Sequence, residues 1–432
     1  LPDRCVMCMM PISREGHIGK SEDMGEMVLE DVRIVEPDKG SVSDPVDIRI
    51  VGDKIAEIGT GLGAGAAEKV DCGGRFLLPG LIDCHVHPFL ADANLARLGE
   101  IPPTLMSARA VRILEAMLQR GFTTVRDAAG ADWGIKRAVE DGLIAGPRLF
   151  IAGRALSQTG GHGDFRARTD DRDVCHCQHA LAFTSRIADG IDDVRRAVRE
   201  ELRRGADQIK IMVSGGVSSP HDPLDKNQYS PSEIAVIVEE AQRRGTYVMA
   251  HAYTADAIRV ALECGVRSIE HGNMIDEETA ALAAHKGAYL VPTLSTYEVL
   301  SDNAEESGWS PEMLEKLARV REAGLNSIRI CRAAGVKIGF GTDLLGDSFD
   351  HQSREFAIRA QAESPAQILD SATRVNAEIL QQSGNLGVIA RGALADMILL
   401  ERNPLDDLAV MQEQGRHMPL IVKDGSIFKN RL

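Results

Sequence analysis

"LPGLIDCHVHPF", Leu78 to Phe89, is an apolar run that ends in two histidines one residue apart. Side chains at i and i+2 of a strand leave the same face, so His85 and His87 can aim two imidazoles at one point. A strand of this kind offers half a metal site.

Outward from that run, short apolar or β-branched stretches alternate with amphipathic ones. The strand-like pieces are Phe76–His87, Phe122–Asp127, Arg148–Gly153, Gln208–Ser214, Thr246–His251, Val266–His271, Ala288–Thr293 and Val336–Asp343. Helix-like segments fall between them: Ser107–Arg120, Asp192–Arg204, Ser232–Arg244, Ala255–Cys264, Glu277–Lys286 and Pro311–Ala334. Several close on glycine, as helix C-termini do. Alternation of this kind implies a parallel sheet, and eight repeats imply closure into a (β/α)8 barrel. Before it, "MVLEDVRIVEP", "DIRIVGDKIAEIG" and "GAAEKVDCGG" read as short strands, as do "ADMILLERNP" and "PLIVKDGSIF" after it. The fold class expected is α/β, a TIM barrel over 76–385 with a small β-sandwich domain built from 27–75 and 386–432, preceded by an N-terminal arm, 1–26.

Composition narrows the function. Of 432 residues, 44% are apolar and 26% charged, ordinary proportions for a globular protein with a sizeable core. Lys and Arg number 49 against 64 Asp and Glu, a formal charge of −15, and no basic stripe appears. Nucleic acid is therefore not an expected partner. No apolar stretch reaches the ~18 residues of a membrane span. Eight scattered cysteines favour a reducing compartment, hence a cytoplasmic location. The chain begins at Leu1 rather than Met, so a periplasmic or secreted location follows if a signal peptide was removed ahead of it.

In barrels of this type chemistry sits at the C-terminal ends of the strands. There the sequence places His85 and His87 on strand one, Lys210 in "DQIKIMVSGG" on strand four, His251 on strand five, His271 on strand six and Asp343 in "GFGTD" on strand eight. A single histidine at a strand end is an ordinary loop or core residue. Four of them, a lysine between isoleucines and an aspartate, all at one end of successive strands, are not explained that way.

The pattern resembles the metal-dependent amidohydrolase superfamily over roughly residues 27–430. "PGLIDCHVH", the strand-four lysine, "AHAYT", "IEHGN" and "GTD" stand in that superfamily's order. "TGGHGD" at Thr159–Asp164 and "NQYSPSEI" at Asn227–Ile234 are similar to the branch holding Xaa-Pro and Xaa-Arg dipeptidases, related carboxypeptidases and ochratoxin-type amidases. The resemblance implies two divalent ions. His85, His87 and Asp343 would hold one, His251 and His271 the other, and Lys210, carrying a CO2-derived carbamate, would bridge them with a hydroxide. Burial lowers a lysine pKa, and the neutral amine can add CO2. Nitrogen and oxygen ligands suit Zn²⁺, with Mn²⁺ or Co²⁺ also compatible.

The resemblance further implies hydrolysis of an amide bond in a small dipeptide or N-acyl amino acid, and a homo-oligomer. Asp343 would act as base and then acid, beside His271. Tyr229 would steady the developing oxyanion and touch substrate, and His162, among glycines, would touch it too. A urea, carbamate or thiocarbamate substrate is the alternative on the same site, and a non-catalytic barrel that only binds is the alternative from another class. His351, Arg154 and Arg166 are candidates to meet a substrate carboxylate. Cys5-x-x-Cys8 and "CHCQH", Cys175–His179, lack the second ligand pair that a zinc site needs. "GAGA" at Gly63–Ala66 lacks the following Lys-Ser or Lys-Thr of a phosphate cradle.

Overall fold

A computed structural model describes residues 25–432 apart from 67, 91, 93, 94, 96, 97, 99, 100, 167, 170–183, 220, 221 and 305–308. The Cys5–Cys8 pair, nearly all of the N-terminal arm and the Cys175–His179 segment lie outside the described residues.

The described residues open with β1 (Glu26–Glu36), β2 (Ser41–Val51), β3 (Lys54–Gly59) and β4 (Glu68–Pro79), strands whose apolar residues alternate with polar ones. Period-two patterning buries one face of such strands. The barrel begins at β5 (Leu81–Val86), so the run Phe76–His87 is not one strand. It breaks at Gly80, whose N–H donates to Asp396 O of the C-terminal segment at 2.8 Å, and the residues before the break stay in the small sheet.

Beyond β5 come α1 (Pro103–Gln119), β6 (Phe122–Asp127), α2 (Trp133–Glu140), β7 (Arg148–Phe150), β8 (Ala155–Ser157) and β9 (Ser185–Ile187). Then follow α3 (Gly190–Arg203), β10 (Ile209–Met212), α4 (Pro231–Arg243), β11 (Val248–Thr254), α5 (Ala255–Glu263), β12 (Ser268–Met274), α6 (Glu277–Lys286) and β13 (Tyr289–Val291). After α7 (Leu294–Asp302), α8 (Pro311–Ala334) and β14 (Lys337–Ile338), the short helices α9 (Arg354–Arg359), α10 (Pro365–Asp370) and α11 (Asn376–Ile379) lead back to β15 (Met397–Leu400), β16 (Leu420–Lys423) and β17 (Ser426–Asn430).

The first sheet runs β17-β16-β15-β4-β1-β2-β3, uniting the two ends of the chain. Its core, including Leu29, Val32, Ile48, Ile50, Met397 and Leu399, is apolar. The parallel strands form β14-β13-β12-β11-β10-β8-β9 and β5-β6-β7. Two seams close these into a barrel. Cys84 N donates to Phe340 O at 2.8 Å on one side, and Asp207 N to Ile151 O at 2.7 Å on the other. Asn376 pins the first seam: its Nδ2 donates to Ile82 O (2.6 Å) and Phe340 O (2.9 Å), while its Oδ1 accepts from Phe340 N (3.0 Å). The third barrel strand is two pieces, β7 against β6 and β8 against β10.

Helix ends follow local chemistry. Ser230 accepts from Glu233 N and Glu233 answers in a capping box ahead of Pro231, the first residue of α4. Ser310 caps α8 in the same register, with Pro311 at the first position and Gly335 left-handed at the end. Among the described residues no helix is long and apolar enough to cross a membrane.

Candidate active site

The C-terminal ends of the barrel strands surround one cavity, and its lining includes His85, His87, Lys210, His251, His271 and Asp343. Ligand atoms of His85, His87 and Asp343 all lie within 4.8 Å of one another. The imidazoles form a chain: ring centroids are 5.2 Å apart for His85 and His87, 4.9 Å for His85 and His271, and 4.6 Å for His271 and His251. Asp343 Oδ1 stands 3.2 Å from His87 Nε2 and 3.5 Å from His85 Nε2.

His85, His251 and His271 each give one nitrogen to a protein partner and keep the other, while His87 turns its second nitrogen to Asp343. His85 Nδ1 donates to Glu270 Oε2 at 2.7 Å, and His87 Nδ1 to Ala129 O at 3.0 Å. His251 Nε2 donates to Gly215 O at 3.2 Å, and His271 Nδ1 meets Thr293 Oγ1 at 2.8 Å. Such partners fix tautomer and ring orientation in metal sites. His85 Nε2 is buried without a hydrogen-bond partner, as a nitrogen reserved for a cation would be.

Electrostatics keep this set ready for a metal. Burial holds the His85 and His251 imidazoles well below their usual pKa, and pushes His271 down to about 3, so all three are neutral at pH 7. Burial also lowers the Lys210 ammonium to about 8. For Asp343 burial works the other way, but the hydrogen bond from His87 and the charge of Lys210 help to hold its carboxyl below the ordinary value.

Backbone strain sits on two of these residues. His271 (φ 73°) and Asp343 (φ 54°) are non-glycine residues in the left-handed region, which carries a cost of ~1–3 kcal/mol. At His271 the departure breaks the pleat, so neighbours Glu270 and His271 both contact His85 instead of facing opposite sides of the strand. At Asp343 the turn is fastened by Asp343 N donating to His85 O at 2.8 Å. Gly341 makes the approach feasible, because a Cβ there would lie 2.8 Å from His85 Cβ.

The sequence pattern did not single out Glu270. Its carboxylate takes His85 on one oxygen, and Arg126 Nη2 (2.8 Å) and Ser268 Oγ (2.7 Å) on the other. Because residues i and i+1 of a strand are read as facing apart, "IEH" suggested the histidine alone. Tyr253 was also missed, although it follows His251 at i+2 on the same strand. It lines the cavity with its ring 4.8 Å from His251 and 5.3 Å from His271. Its hydroxyl accepts from Tyr297 Oη at 3.1 Å, leaving its own proton to donate.

His162 lines the cavity and stacks on His251 at 4.3 Å. Tyr229 does not line it. Its phenol is buried in the apolar cluster of Ile234 and Ile237, and burial, with Asp189 and Glu233 nearby, raises its pKa. The expected oxyanion and substrate roles of Tyr229 therefore have no support in its placement. Arg154 is committed to Glu201 (2.9 and 2.6 Å) and Arg166 to Asp164 (2.8 and 2.7 Å). Neither arginine lines the cavity, and exposed His351 does not either.

Residues 76–425 match the model of the amidohydrolase family. Over 372 residues the chain is 37% identical to the ochratoxinase of Aspergillus niger, covering 82% of this chain and 75% of that one. A solved amidohydrolase structure superposes with a TM-score of 0.92 at 51% identity, covering 94% of this chain and 100% of the other. A prolidase solved with N-methylphosphonate-L-proline also superposes with a TM-score of 0.92, at 46% identity and the same coverage. With its barrel, its split β-domain and a metal-competent histidine cluster at the strand ends, the chain belongs to the amidohydrolase family, enzymes that hydrolyse carbon–nitrogen bonds.

Proposed function

We propose that the chain is a binuclear metal-dependent hydrolase that cleaves the amide bond of a dipeptide or N-acyl amino acid with an apolar acyl side. The observation that carries this reading is the convergence of His85, His87, Lys210, His251, His271 and Asp343 on one cavity. The unpartnered His85 Nε2 and the neutral histidines fit a divalent cation. His85, His87 and Asp343 would hold one ion and His251 and His271 the other. Lys210 would bridge them as a CO2-derived carbamate, its lowered pKa supplying free amine near neutrality. Bound there, a zinc pair would activate water and polarise the scissile carbonyl.

The chain's own groups do the rest. Asp343, within 3.2 Å of His87, is placed to take a proton at its carboxylate and return it to the departing amine. Tyr253, which lines the cavity with its hydroxyl proton free, would donate to a developing oxyanion, the role expected of Tyr229 from the sequence. Leu90, Leu95, Phe165, Val217, Leu300 and Leu345 form the apolar wall that would receive the acyl side chain and exclude water. No arginine lines the cavity among the described residues, which leaves His162 to meet a substrate carboxylate. The ochratoxinase and prolidase relatives support amides of this kind.

The test is hydrolysis of a dipeptide library alongside ochratoxin-like amides by enzyme supplied with zinc and bicarbonate. Turnover concentrated on apolar Xaa-amides is expected. Turnover confined to ureas, carbamates or thiocarbamates, or no turnover of any amide, would contradict the proposal.

A further inference from the structure

Lys316, on α8, is buried, and its ammonium reaches three backbone carbonyls: Gly216 O at 2.8 Å, Ser219 O at 2.7 Å and Asp222 O at 3.1 Å. All three of its N–H donors are thereby used. The carbonyls belong to the loop after the fourth barrel strand, whose Val217 and Ser218 line the active-site cavity, whereas no residue of α8 does. The same loop holds His162. The Ser219 hydroxyl donates to Asp222, so His162 Nδ1 donates to Ser219 Oγ at 2.7 Å. Asp222 Oδ2 accepts from Gly216 N (3.0 Å) and Gln228 Nε2 (3.1 Å), and Gln228 Oε1 accepts from His162 N (2.8 Å). The fit is close: a Cβ on Gly216 would stand 1.9 Å from the His162 ring, which lies on His251.

We propose that Lys316 is a positioning residue of the active site: by gathering three carbonyls of this loop it sets the wall made by Val217, Ser218 and His162, and through it substrate affinity. A buried ammonium satisfied only by carbonyls acts as an internal cation that folds the loop around itself. Removing it takes the shared donor from all three carbonyls and leaves only the longer Ser219 Oγ contact (3.4 Å) to Gly216 O, and the loop is then free to relax away from His162.

Lys429 supplies the control. It too is buried and held by carbonyls, Gly415 O at 2.6 Å and Gln119 O at 3.3 Å, but it does not line the cavity or touch this loop. The kinetic arm rests on the hydrolase reading and the structural arm does not. In Lys316→Met and Lys316→Gln, KM is expected to rise about tenfold with kcat within about threefold and metal content unchanged. Lys429→Met should lower Tm without moving KM. Ser219→Ala, which keeps the clamp but cuts the His162 bond, should raise KM in the same direction. If both Lys316 variants fail to fold, Lys316→Arg, which keeps the charge but moves the donors, takes their place with the same KM readings. Crystal structures of Lys316→Gln and the parent are expected to differ in the backbone of Gly216–Ser219 and in the His162 ring. An unchanged loop with unchanged KM, an equal KM shift in Lys429→Met, or an unchanged KM in Ser219→Ala would overturn the proposal. If no substrate is turned over, the crystallographic comparison alone decides.

Discussion

In the small β-domain the core cluster is built from Leu29, Val32, Ile48, Ile50, Met397 and Leu399, with Asp396, Lys423 and Lys429 buried outside it, whereas the barrel axis buries Asp83, Arg126, Lys210 and Glu270 together with the site histidines. Each large apolar side chain taken from water contributes ~1.5–3 kcal/mol to stability. A buried ion pair such as Arg126–Glu270 does little better than break even against its desolvation. Stability and function thus rest on different parts of the chain. The sheet that joins the two ends of the chain contributes net stability, and the barrel axis accepts desolvated charge and two left-handed residues to hold a site. Perturbations of the two regions should therefore differ: those in the sheet lower Tm and spare catalysis, whereas those at the barrel axis reach catalysis, with loss of stability where a buried charge loses its partner.

The largest separation is expected from His85→Ala, which removes a ligand nitrogen. Amide hydrolysis should fall by about a thousandfold or more, an activation penalty of ~4 kcal/mol, while the thermal transition of the metal-free protein hardly moves. A variant that keeps most of its turnover would break the comparison. Glu270→Gln comes next, because it leaves Arg126 unpaired in the barrel and frees the His85 ring. It should cost ~3–5 kcal/mol of stability in denaturant melts and weaken metal binding ~10–100-fold. A change in one of these without the other would mean that Glu270 serves only the fold or only the site.

In the sheet, Ile48→Ala should cost ~2–4 kcal/mol of unfolding free energy and leave kcat/KM within about twofold of the parent. Loss of activity without loss of stability there would erase the contrast. The last prediction concerns pH. His85, His251 and His271 have folded pKa values below their unfolded ones, so their contribution is fully present above pH ~6.5. It is lost as pH falls below that value, where the unfolded chain takes up protons and the folded chain does not. In chelator-treated protein each should tilt stability by ~1.4 kcal/mol per pH unit between about 6.5 and its folded pKa. A flat urea-melt profile between pH 6.5 and 5 would contradict this.

Much of the barrel is legible in the sequence because its strands and helices carry punctuation. Proline at the first turn and glycine at the end bound Pro311–Ala334, and Glu277–Lys286 runs from an aspartate cap to a left-handed glycine. The six candidate ligands are legible because a barrel places strand ends together whatever the helices between them do. What stayed hidden depends on backbone departures from regularity. The pleat rule conceals Glu270, since only the left-handed φ at His271 lets two adjacent residues serve one site. Tyr229 reads as a loop residue near the site, yet its side chain joins the cluster under α4, and no period in "NQYSPSEI" encodes that direction. Tyr253 was within reach of the i+2 rule that found His87. Lys316 lies more than a hundred residues in sequence from Lys210 of strand four, on a helix whose pattern marks its face but not the loop it meets.

The most direct test is the metal content of the purified, dialysed chain, measured beside Lys210→Ala after both are reloaded with zinc and bicarbonate. The account predicts about two ions per chain in the parent, and in the variant at most one, with activity lost. Fewer than one ion in the reloaded parent, or two ions and full activity in Lys210→Ala, would contradict it.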